Sequence, residues 1–479
     1  MKPRADQFPA SPTPTSRRSF LGDVGRVAGV GATVTAAVRA TGLGNAHAAG
    51  SEEIRLAVVG CGGRGSGAVR DAIQGAKAAP VKLVAAADIF KERIDGLKRT
   101  LAEQFGDRID VPEERAFVGV EAFRQAIEAL RPGDILILTT PPAFRAVHFA
   151  AAIDKGLNVF MEKPVSIDGP STNRMLALAK RADEKNLKVG VGLMCRHCEA
   201  RKQLLDRLRN GEAGDLLLFR GYRMHPAYSN MDLAPGPPEL ARGPDGRVTN
   251  SELLWQAKRF HNFLWASGGI FSDYYIHQID EACWMKGAWP QKAEAVGGRH
   301  FHGKLDDQNF DSYAVEYTFA DGTKFQYTGR HMPNTYQRFE LHGMGSKGAF
   351  TISIGHHPAK PAIYKSQRMD KANILWSGEH PEPPHPYRLE WQHLVEAIVN
   401  NQPYNEVVRG AEASLVTAMG RAAAHTGRVI TYDEMLASPD DLTAGVDALK
   451  DDSPAPLQRG ADGSYPVPMP GRFKFEYRG

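Results

Sequence analysis

Residues 54–65 read IRLAVVGCGGRG, an apolar run that ends in a glycine-rich loop. Its first half has the composition of a short buried strand, and residues 69–74 continue as a helix. The loop matches G-x-G-x-x-G, whose glycines permit a tight turn and let the backbone approach a pyrophosphate at a helix N-terminus. The stretch therefore predicts the start of a dinucleotide-binding sheet, and its expected cofactor contacts are Gly60, Gly62, Gly63, Arg64 and Gly65.

Further apolar runs follow, separated by stretches with helical spacing. The predicted strands cover residues 81–87, 135–138, 158–161 and 188–192, and the predicted helices cover 123–130, 144–155 and 170–186. Strands that alternate with helices form a parallel sheet covered on both faces. Polar, Gly and Pro residues gather where these strands end, which is the edge at which open α/β sheets bind ligands.

The pattern changes in the second half of the chain. Residues 313–319 and 324–327 alternate with period two around the turn at 320–323, and helices are predicted at 390–400 and 410–426. We therefore expect an α/β protein with four parts. They are a twin-arginine-type signal peptide (1–49), a Rossmann domain with a doubly wound parallel sheet (51–175), a C-terminal α/β domain with an open, mostly antiparallel sheet (176–436) and an irregular tail (437–479).

The charge of the chain is concentrated at its start. The formal net charge is +4, and residues 1–49 alone carry six Lys and Arg against two Asp, so the rest of the chain is neutral. A neutral body gives no reason to expect nucleic-acid binding, which needs a basic face on the folded domain. No stretch is apolar and long enough to predict a membrane span.

The first residues have the order of an export signal. Residues 16–21 read SRRSFL, a mildly apolar run follows from 24 to 38, and residues 46–48 read AHA. This resembles a twin-arginine signal, whose pathway exports folded proteins, often with a cofactor loaded. The alternative is a disordered basic tail. We expect a periplasmic or extracellular protein.

An acidic residue ends the second predicted strand. Asp88 lies 23 positions after Gly65, where a carboxylate can accept hydrogen bonds from the ribose hydroxyls of an adenosine. It would repel a 2′-phosphate, so NAD is favoured over NADP, although Lys91 and Arg93 lie nearby. A glycine turn with a strand-end Asp in another α/β protein is the alternative.

Two segments carry groups suited to alcohol oxidation. Lys163 ends another strand at the sheet mouth, where an ammonium group can stabilise alkoxide charge; a solvated surface lysine is the alternative. Asp273 and His277 are four residues apart on a predicted helix, so they share a face, as does Asp280. A carboxylate beside an imidazole raises its pKa and makes it a proton acceptor. The alternative is a helix-start Asp near a buried structural His.

Weaker candidates surround this set. An aromatic platform with Arg and His donors suits a sugar, and the residues considered for substrate contact are Arg196, Tyr222, Asp280, His261, Trp265 and Arg330. Packing or a surface pair is the alternative for each of them. Cys195 and Cys198 form a CxxC, but zinc needs two further ligands and the other cysteines lie in unrelated segments. No metal is expected, and the two thiols are expected to be buried.

Several motifs in order resemble the glucose–fructose oxidoreductase/inositol dehydrogenase/rhizopine-catabolism (Gfo/Idh/MocA) family, over about residues 53–436. They are Gly60-x-Gly62-x-x-Gly65, Asp88, Thr140-Pro141, Glu162-Lys163-Pro164, and Gly268-Gly269 followed by Asp273, His277 and Asp280. The resemblance implies a bound nicotinamide cofactor contacted also by Thr140, Pro141, Glu162 and Lys163. It makes Lys163 the active-site lysine and His277 the acid/base, assisted by Asp273. Tyr275 stands where family members often have glycine.

The resemblance also implies a carbohydrate substrate, because the family acts on sugars, cyclitols and related polyols. It implies a homo-oligomer, a dimer or tetramer, built on the open sheet. The expected activity is NAD-dependent oxidation of a CH–OH group with a tightly retained cofactor, since an exported enzyme has no free dinucleotide pool. Two alternatives stay open: redox-neutral glycoside hydrolysis or elimination through transient oxidation, and a non-catalytic sugar-binding protein.

Overall fold

The apolar run that begins at Ile54 forms an inner strand of a six-stranded sheet. The structure, a computed structural model, describes residues 53–226, 241–302, 306–357, 360–378, 385–472 and 474–477; the expected export signal lies outside them. The strands are β1 (Ile54–Val59), β2 (Val81–Asp88), β3 (Ala116–Val118), β4 (Ile135–Leu138), β5 (Asn158–Met161) and β6 (Val189–Val191). All neighbours pair in parallel in the order β3-β2-β1-β4-β5-β6, so the doubly wound sheet is confirmed.

Helices cover both faces of this sheet because its strands are apolar on both sides. They are α1 (Gly63–Gly75), α2 (Lys91–Phe105), α3 (Ala122–Glu128), α4 (Arg145–Lys155) and α5 (Gly169–Glu184). Alternate residues of β1 enter two different cores: Leu56 packs with Val69 of α1, and Ala57 packs with Phe149 of α4. The two layers follow directly from the strand–helix alternation in the sequence.

The first sheet continues beyond residue 175, the boundary expected from the sequence, because β6 lies at its far edge. A later helix, α10 (Pro386–Val399), also returns to this sheet. Its Trp391 stacks on Phe160 of β5 with ring centroids 4.3 Å apart, and Leu394 packs in the same core. The chain thus completes its first layer with a helix from its last third.

Within the described residues the second sheet has nine strands, and it is open and mostly antiparallel, as expected. Its strands are β7 (Leu216–His225), β10 (Lys292–Gly298), β11 (Ser312–Thr318), β12 (Lys324–His331), β13 (Arg338–Gly345), β14 (Ala349–Ile354), β15 (Ala362–Tyr364), β16 (Ile374–Ser377) and β17 (Ile430–Thr431). The order is β16-β15-β14-β13-β7-β12-β11-β10-β17, and β7 pairs with β12 in parallel. A separate two-stranded ribbon joins β8 (Ala241–Arg242) and β9 (Val248–Asn250).

Two buried helices pack against this sheet and also reach the first one. The remaining helices are α6 (Glu199–Arg209), α7 (Glu252–Lys258), α8 (Leu264–Ser267), α9 (Gly269–Lys286), α11 (Val407–Thr426) and α12 (Tyr432–Leu436). In α9, Tyr275 joins the core of the second sheet while Ile276 joins that of the first. No helix in the described part of the chain is long and apolar enough to cross a bilayer.

The tail after residue 436 has little regular structure but contributes to a core of its own. Leu442, Leu457 and Tyr465 are buried there with Trp255 of α7 and Trp265 of α8. The tail also bonds to α7, since Gln256 Nε2 donates to the carbonyl oxygen of Leu457 at 2.8 Å. These contacts hold α7 in place.

We expect Tyr465→Ala to lower the free energy of unfolding by about 3–5 kcal/mol, as removal of a large buried ring does. The ring packs edge-on against Phe263 at 5.1 Å and stacks on Trp255 at 6.2 Å. Urea denaturation measures the change. The matched control is Tyr336→Ala, whose side chain is 75% exposed and whose loss should cost no more than about 0.5 kcal/mol. Equal effects of both variants would mean that the tail is not part of the core.

Candidate functional site

A crevice of about 540 Å³ opens at the carboxyl ends of the parallel strands. Every residue that the sequence predicted to contact the cofactor lines it: Gly60, Gly62, Gly63, Arg64, Gly65, Asp88, Thr140, Pro141, Glu162 and Lys163. The second half of the chain supplies the opposite wall, which includes His261, Asp273 and Tyr274. The tertiary structure thus brings the loops after β1, β2, β4 and β5 to one cavity, as expected at the topological switch point of such a sheet.

The glycine-rich loop has the geometry of an anion site. Gly60 has φ +97°, and a Cβ there would lie 2.8 Å from the Thr139 and Thr140 backbone; a Cβ on Gly65 would lie 2.0 Å from the Gly60 carbonyl oxygen. At Gly62, by contrast, no atom lies within 4 Å of such a Cβ. Gly62 is the N-cap of α1 and no side chain caps the helix, so its first N–H groups remain available for a phosphate. The residues fit a dinucleotide.

Asp88 is held rigidly at the end of β2. Its Oδ2 accepts a hydrogen bond from the Cys61 backbone N–H at 2.6 Å, and its Oδ1 accepts one from Phe90 at 2.9 Å. Burial raises the pKa of this carboxyl above its usual value. Both oxygens retain acceptor capacity toward the crevice, where Arg93 is a further wall residue.

Two of the expected cofactor contacts pair with each other. Arg64 Nε lies 2.6 Å from Glu162 Oε1, and its Nη2 lies 3.4 Å from Asp71. The guanidinium also lies over the Tyr387 ring, 4.6 Å from its centroid. Arg64 and Glu162 therefore form part of the crevice wall as a partnered ion pair.

The chemically active end of the crevice contains a lysine, a carboxylate and an imidazole in one chain of contacts. Lys163 Nζ donates to the Asp273 carbonyl oxygen at 2.7 Å and lies 3.3 Å from its Oδ1. His261 Nε2 lies 2.8 Å from Asp273 Oδ2. Burial by itself would raise the pKa of the Asp273 carboxyl. The contacts with Lys163 and His261 have a larger, opposite effect and hold this pKa well below its usual range. Asp273 is therefore an ionised carboxylate that contacts both Lys163 and His261.

The expected pairing of Asp273 with His277 is wrong. The helical spacing allows it, but both Asp273 oxygens face partners from other segments, Lys163 and His261. Burial, and then the charges of His357, Lys163 and Arg223, lower the pKa of His277 well below its usual value, where the sequence predicted a raised one. The imidazole is neutral at physiological pH and can still accept a proton.

His277 lies close behind the crevice. As far as the described residues define it, the wall includes Asp273 and Tyr274 but not His277. The His277 ring is buried, its Nδ1 has no hydrogen-bond partner, and its centroid lies 4.6 Å from that of His357. His277 is nevertheless near enough to Lys163 and Arg64 for their charges to lower its pKa.

Tyr275, the departure from the family pattern, does not alter the crevice. Its ring is fully buried in the core of the second sheet. Gly329 of β12 leaves the space for it, since a Cβ there would lie 2.2 Å from Tyr275 Cε2. The large residue on α9 is matched by a small one on the facing strand.

Three weaker substrate candidates have structural partners instead. Arg196 makes three hydrogen bonds of 2.7–3.1 Å to Asp280, and both side chains are largely buried, so this is a closed ion pair. Trp265 is buried in the core shared with the tail, and its Nε1 donates to Gln256 Oε1 at 2.7 Å. The structure therefore places Arg196, Asp280 and Trp265 in these contacts and not on the crevice wall.

Tyr222 and Arg330 lie on the other face of the second sheet and do not line the crevice. Phe219 of β7 faces the core, so by alternation Arg223 faces the same side and Tyr222 the opposite one. There the Arg338 guanidinium lies over the Tyr222 ring at 3.6 Å. Arg330 bonds to the carbonyl oxygen of Tyr336. Of the six weaker candidates, His261 alone lines the crevice.

The sequence analysis did not single out His357, which follows β14. Its Nε2 lies 3.2 Å from Arg223 Nη1, and its ring contacts His277. Burial lowers the pKa of His357 to about 4. No local signal marks this residue, because its neighbours come from distant segments.

Gly62→Ala tests whether the crevice holds a dinucleotide. The added methyl group has open space and an ordinary φ of −70°, so the melting temperature of the free protein should not change. It would occupy the predicted pyrophosphate position and weaken NAD binding at least about tenfold, or about 1.4 kcal/mol, by calorimetry. Gly96→Ala, on α2 with no atom within 4 Å of the new Cβ, is the control. Unchanged NAD affinity in Gly62→Ala would contradict the assignment.

The chain matches known families over most of its described length. Residues 54–193 match an oxidoreductase family with an NAD-binding Rossmann fold, and residues 202–351 match the GFO/IDH/MocA C-terminal domain. The chain is 23% identical over 387 residues to scyllo-inositol 2-dehydrogenase (NAD(+)) of Bacillus subtilis, covering 78% of this chain and 94% of that protein. It is 29% identical to inositol 2-dehydrogenase of Corynebacterium glutamicum over 111 residues, 23% of this chain and about a third (32%) of that relative's length.

Solved structures share the fold. Scyllo-inositol dehydrogenase of Lactobacillus casei, with bound NAD(H) and scyllo-inositol, has a TM-score of 0.56 at 19% identity, covering 80% of this chain and 100% of that one. Aldose-aldose oxidoreductase of Caulobacter crescentus has a TM-score of 0.57 at 17% identity, covering 79% and 100%. With both halves of the fold matched in order, this chain belongs to the Gfo/Idh/MocA family of oxidoreductases.

Proposed function

We propose that this protein oxidises a hydroxyl-bearing carbon of a sugar, cyclitol or related polyol with NAD held in the crevice. The observation that carries the proposal is the Lys163–Asp273 pair at the end of a dinucleotide-shaped cavity. The names of the relatives agree, because scyllo-inositol 2-dehydrogenase (NAD(+)) is an oxidoreductase for a cyclitol.

The chain's own groups account for substrate activation. Lys163 Nζ donates a hydrogen bond to the reacting hydroxyl oxygen and stabilises the negative charge that develops there. Asp273 positions that ammonium group through its carbonyl oxygen and Oδ1. His277 accepts the hydroxyl proton at Nε2, because its Nδ1 is enclosed. The nicotinamide ring, when bound, supplies the acceptor for the hydride that leaves the same carbon.

His261 is the rival proton acceptor. It lines the crevice directly and hydrogen-bonds Asp273 Oδ2 at 2.8 Å, whereas His277 lies behind the wall. We propose that this bond makes His261 a positioning residue for Asp273. Replacing each imidazole in turn shows which one accepts the proton and which one positions Asp273. Loss of the acceptor should lower kcat, while loss of a positioning group should be partly rescued by glutamine.

The cofactor preference follows from Asp88. Its carboxylate lines the crevice at the end of β2, where a 2′-phosphate would be repelled and two ribose hydroxyls would find an acceptor. Arg93 and Lys258 in the same wall offset part of this repulsion. We therefore propose NAD with a smaller affinity for NADP.

Slow cofactor release is a further part of the proposal. Helix α7 contributes four residues to the crevice: Leu253, Leu254, Ala257 and Lys258. The tail holds this helix through Gln256, as described above, and through Tyr465, whose hydroxyl donates to Glu252 Oε1 at 2.8 Å. An anchored cover over the crevice favours a cofactor that stays bound between turnovers.

The experiment starts from the protein as purified. We expect gentle denaturation to release close to one dinucleotide per chain, and a panel of cyclitols and aldoses to reduce the bound cofactor, measured by its absorbance. Lys163→Ala should slow this reduction by about 10²–10⁴-fold, the usual range for a positioned acid or base. Lys180→Ala, an exposed lysine on α5, is the control and should leave the rate unchanged.

Other outcomes separate the alternatives. Release of free sugar from aryl glycosides without net reduced cofactor would indicate redox-neutral hydrolysis through the same residues. A non-catalytic binding protein would show no turnover as the wild type. Its sugar affinity would be unchanged in His277→Ala and in Lys163→Ala. A protein that binds NAD only weakly would contradict cofactor retention.

We also propose export by the twin-arginine pathway, from the SRRSFL sequence at 16–21. Replacement of Arg17 and Arg18 together by lysine should leave the protein unprocessed inside the cell, measured by fractionation and N-terminal sequencing. Arg39→Lys, a basic residue outside the pair, is the control. Equal export of both variants would exclude this route.

A further inference from the structure

Three potential metal ligands meet behind His277, from three distant segments of the chain. Cys195 lies in the turn after β6, Glu281 on α9 and His357 after β14, and one ligand atom of each lies within 4.8 Å of the others. Cys195 Sγ is 3.8 Å from His357 Nδ1, which is 3.9 Å from Glu281 Oε2. A thiol, an imidazole and a carboxylate therefore face one point.

Glu281 carries the strongest indication that something is bound there. Its side chain is completely buried. Oε1 pairs with Arg201, which is also fully buried, but Oε2 accepts no hydrogen bond. A buried carboxylate oxygen without a partner is costly, and the histidine nitrogen 3.9 Å away is too far to satisfy it. A cation between the three ligands would satisfy it.

We propose that Cys195, Glu281 and His357 form a binding site for a divalent transition metal of the zinc class. Sulfur, nitrogen and oxygen donors together suit zinc, whereas magnesium and calcium prefer oxygen alone. The group supplies three ligands from the described residues, which leaves a fourth tetrahedral position for water or another oxygen donor. The sequence led to the opposite expectation because the partners of Cys195 were sought among cysteines.

The second thiol of the CxxC does not take part. Cys198 Sγ lies 3.5 Å from Arg201 Nη1, and it is absent from the three-ligand group. Arg201 instead orients the ligands from outside, since it pairs with Glu281 and donates to the backbone carbonyl oxygen of His357. Such supporting contacts are typical of metal sites.

Metal binding requires a balanced exchange of protons. The Cys195 thiol releases one proton to solvent as the sulfur–metal bond forms. When His357 Nδ1 binds the metal, its ring proton resides on Nε2, which now faces Arg223 Nη1 at 3.2 Å. Arg223 then loses this contact and keeps its bond to the Tyr274 carbonyl oxygen, 2.5 Å away. One proton per metal is released overall.

The site would fasten the His357 loop against α9. His357 packs on the ring of His277, four residues before Glu281 on the same helix. A metal at this point therefore fixes the surroundings of the proposed proton acceptor without contacting the dinucleotide crevice. The inference does not depend on which substrate the protein oxidises.

The test uses the full-length protein, stripped with a chelator and titrated with Zn²⁺ and, as a spectroscopic probe, Co²⁺. We expect one metal per chain, an absorption band of a cobalt–thiolate bond and release of one proton, measured by calorimetry in buffers of different ionisation enthalpy. Cys195→Ser should remove the band and weaken Zn²⁺ binding at least about 100-fold. Cys198→Ser, the matched control three residues further along the same motif and outside the three-ligand group, should retain both.

His357→Gln is the second variant, since its loop position lets the fold survive its loss. It should weaken Zn²⁺ binding while circular dichroism and NAD affinity remain those of the wild type. Absence of stoichiometric metal binding in the wild-type protein would overturn the proposal. Equal loss in Cys195→Ser and Cys198→Ser, or equal binding in all variants, would overturn it as well.

Discussion

The contact between Lys163 and Asp273 decides the geometry of the whole site. Lys163 follows β5 of the parallel sheet, and Asp273 lies in α9, which packs on the second sheet; the ammonium group meets both the carbonyl oxygen and the carboxylate. Such a pair is stable out of water only when its remaining polar atoms also have hydrogen-bond partners. His261 Nε2 is the partner of Asp273 Oδ2. The glycine-rich loop, Lys163, Asp273 and His261 thus line one cavity, and His277 lies close behind its wall.

Apolar packing holds the two ends of this ion pair together. Helices α9 and α11 contribute residues to the cores of both sheets, so neither sheet can shift without disturbing them. This also explains why α9 is buried on nearly all sides, from Ile270 to Cys283. The electrostatic contact is precise because the hydrophobic contact beneath it is rigid.

The charges around His277 act differently from those around Asp273. Asp273 is buried against Lys163 and His261 and remains ionised, while His277 is buried next to Lys163, Arg223 and His357 and remains neutral. The same positive environment therefore stabilises a carboxylate and suppresses an imidazolium. A neutral imidazole close to a lysine suits the removal of a hydroxyl proton that we propose for His277.

By itself the sequence determined the two kinds of sheet and the dinucleotide crevice, because strand–loop–helix periodicity and glycine geometry are local properties. It proposed Lys163 and Asp273 as site residues through the resemblance to a family pattern. Only the tertiary structure decided the partners: His261 rather than His277 beside Asp273, Arg196 closed on Asp280, and His357 against α9. The tertiary structure also decided that Tyr222 faces away from the crevice. Alternation along a strand shows which residues share a face of the sheet, but it does not show which face the helices cover. Side chains from segments far apart in sequence meet only through packing, and no local pattern encodes that choice.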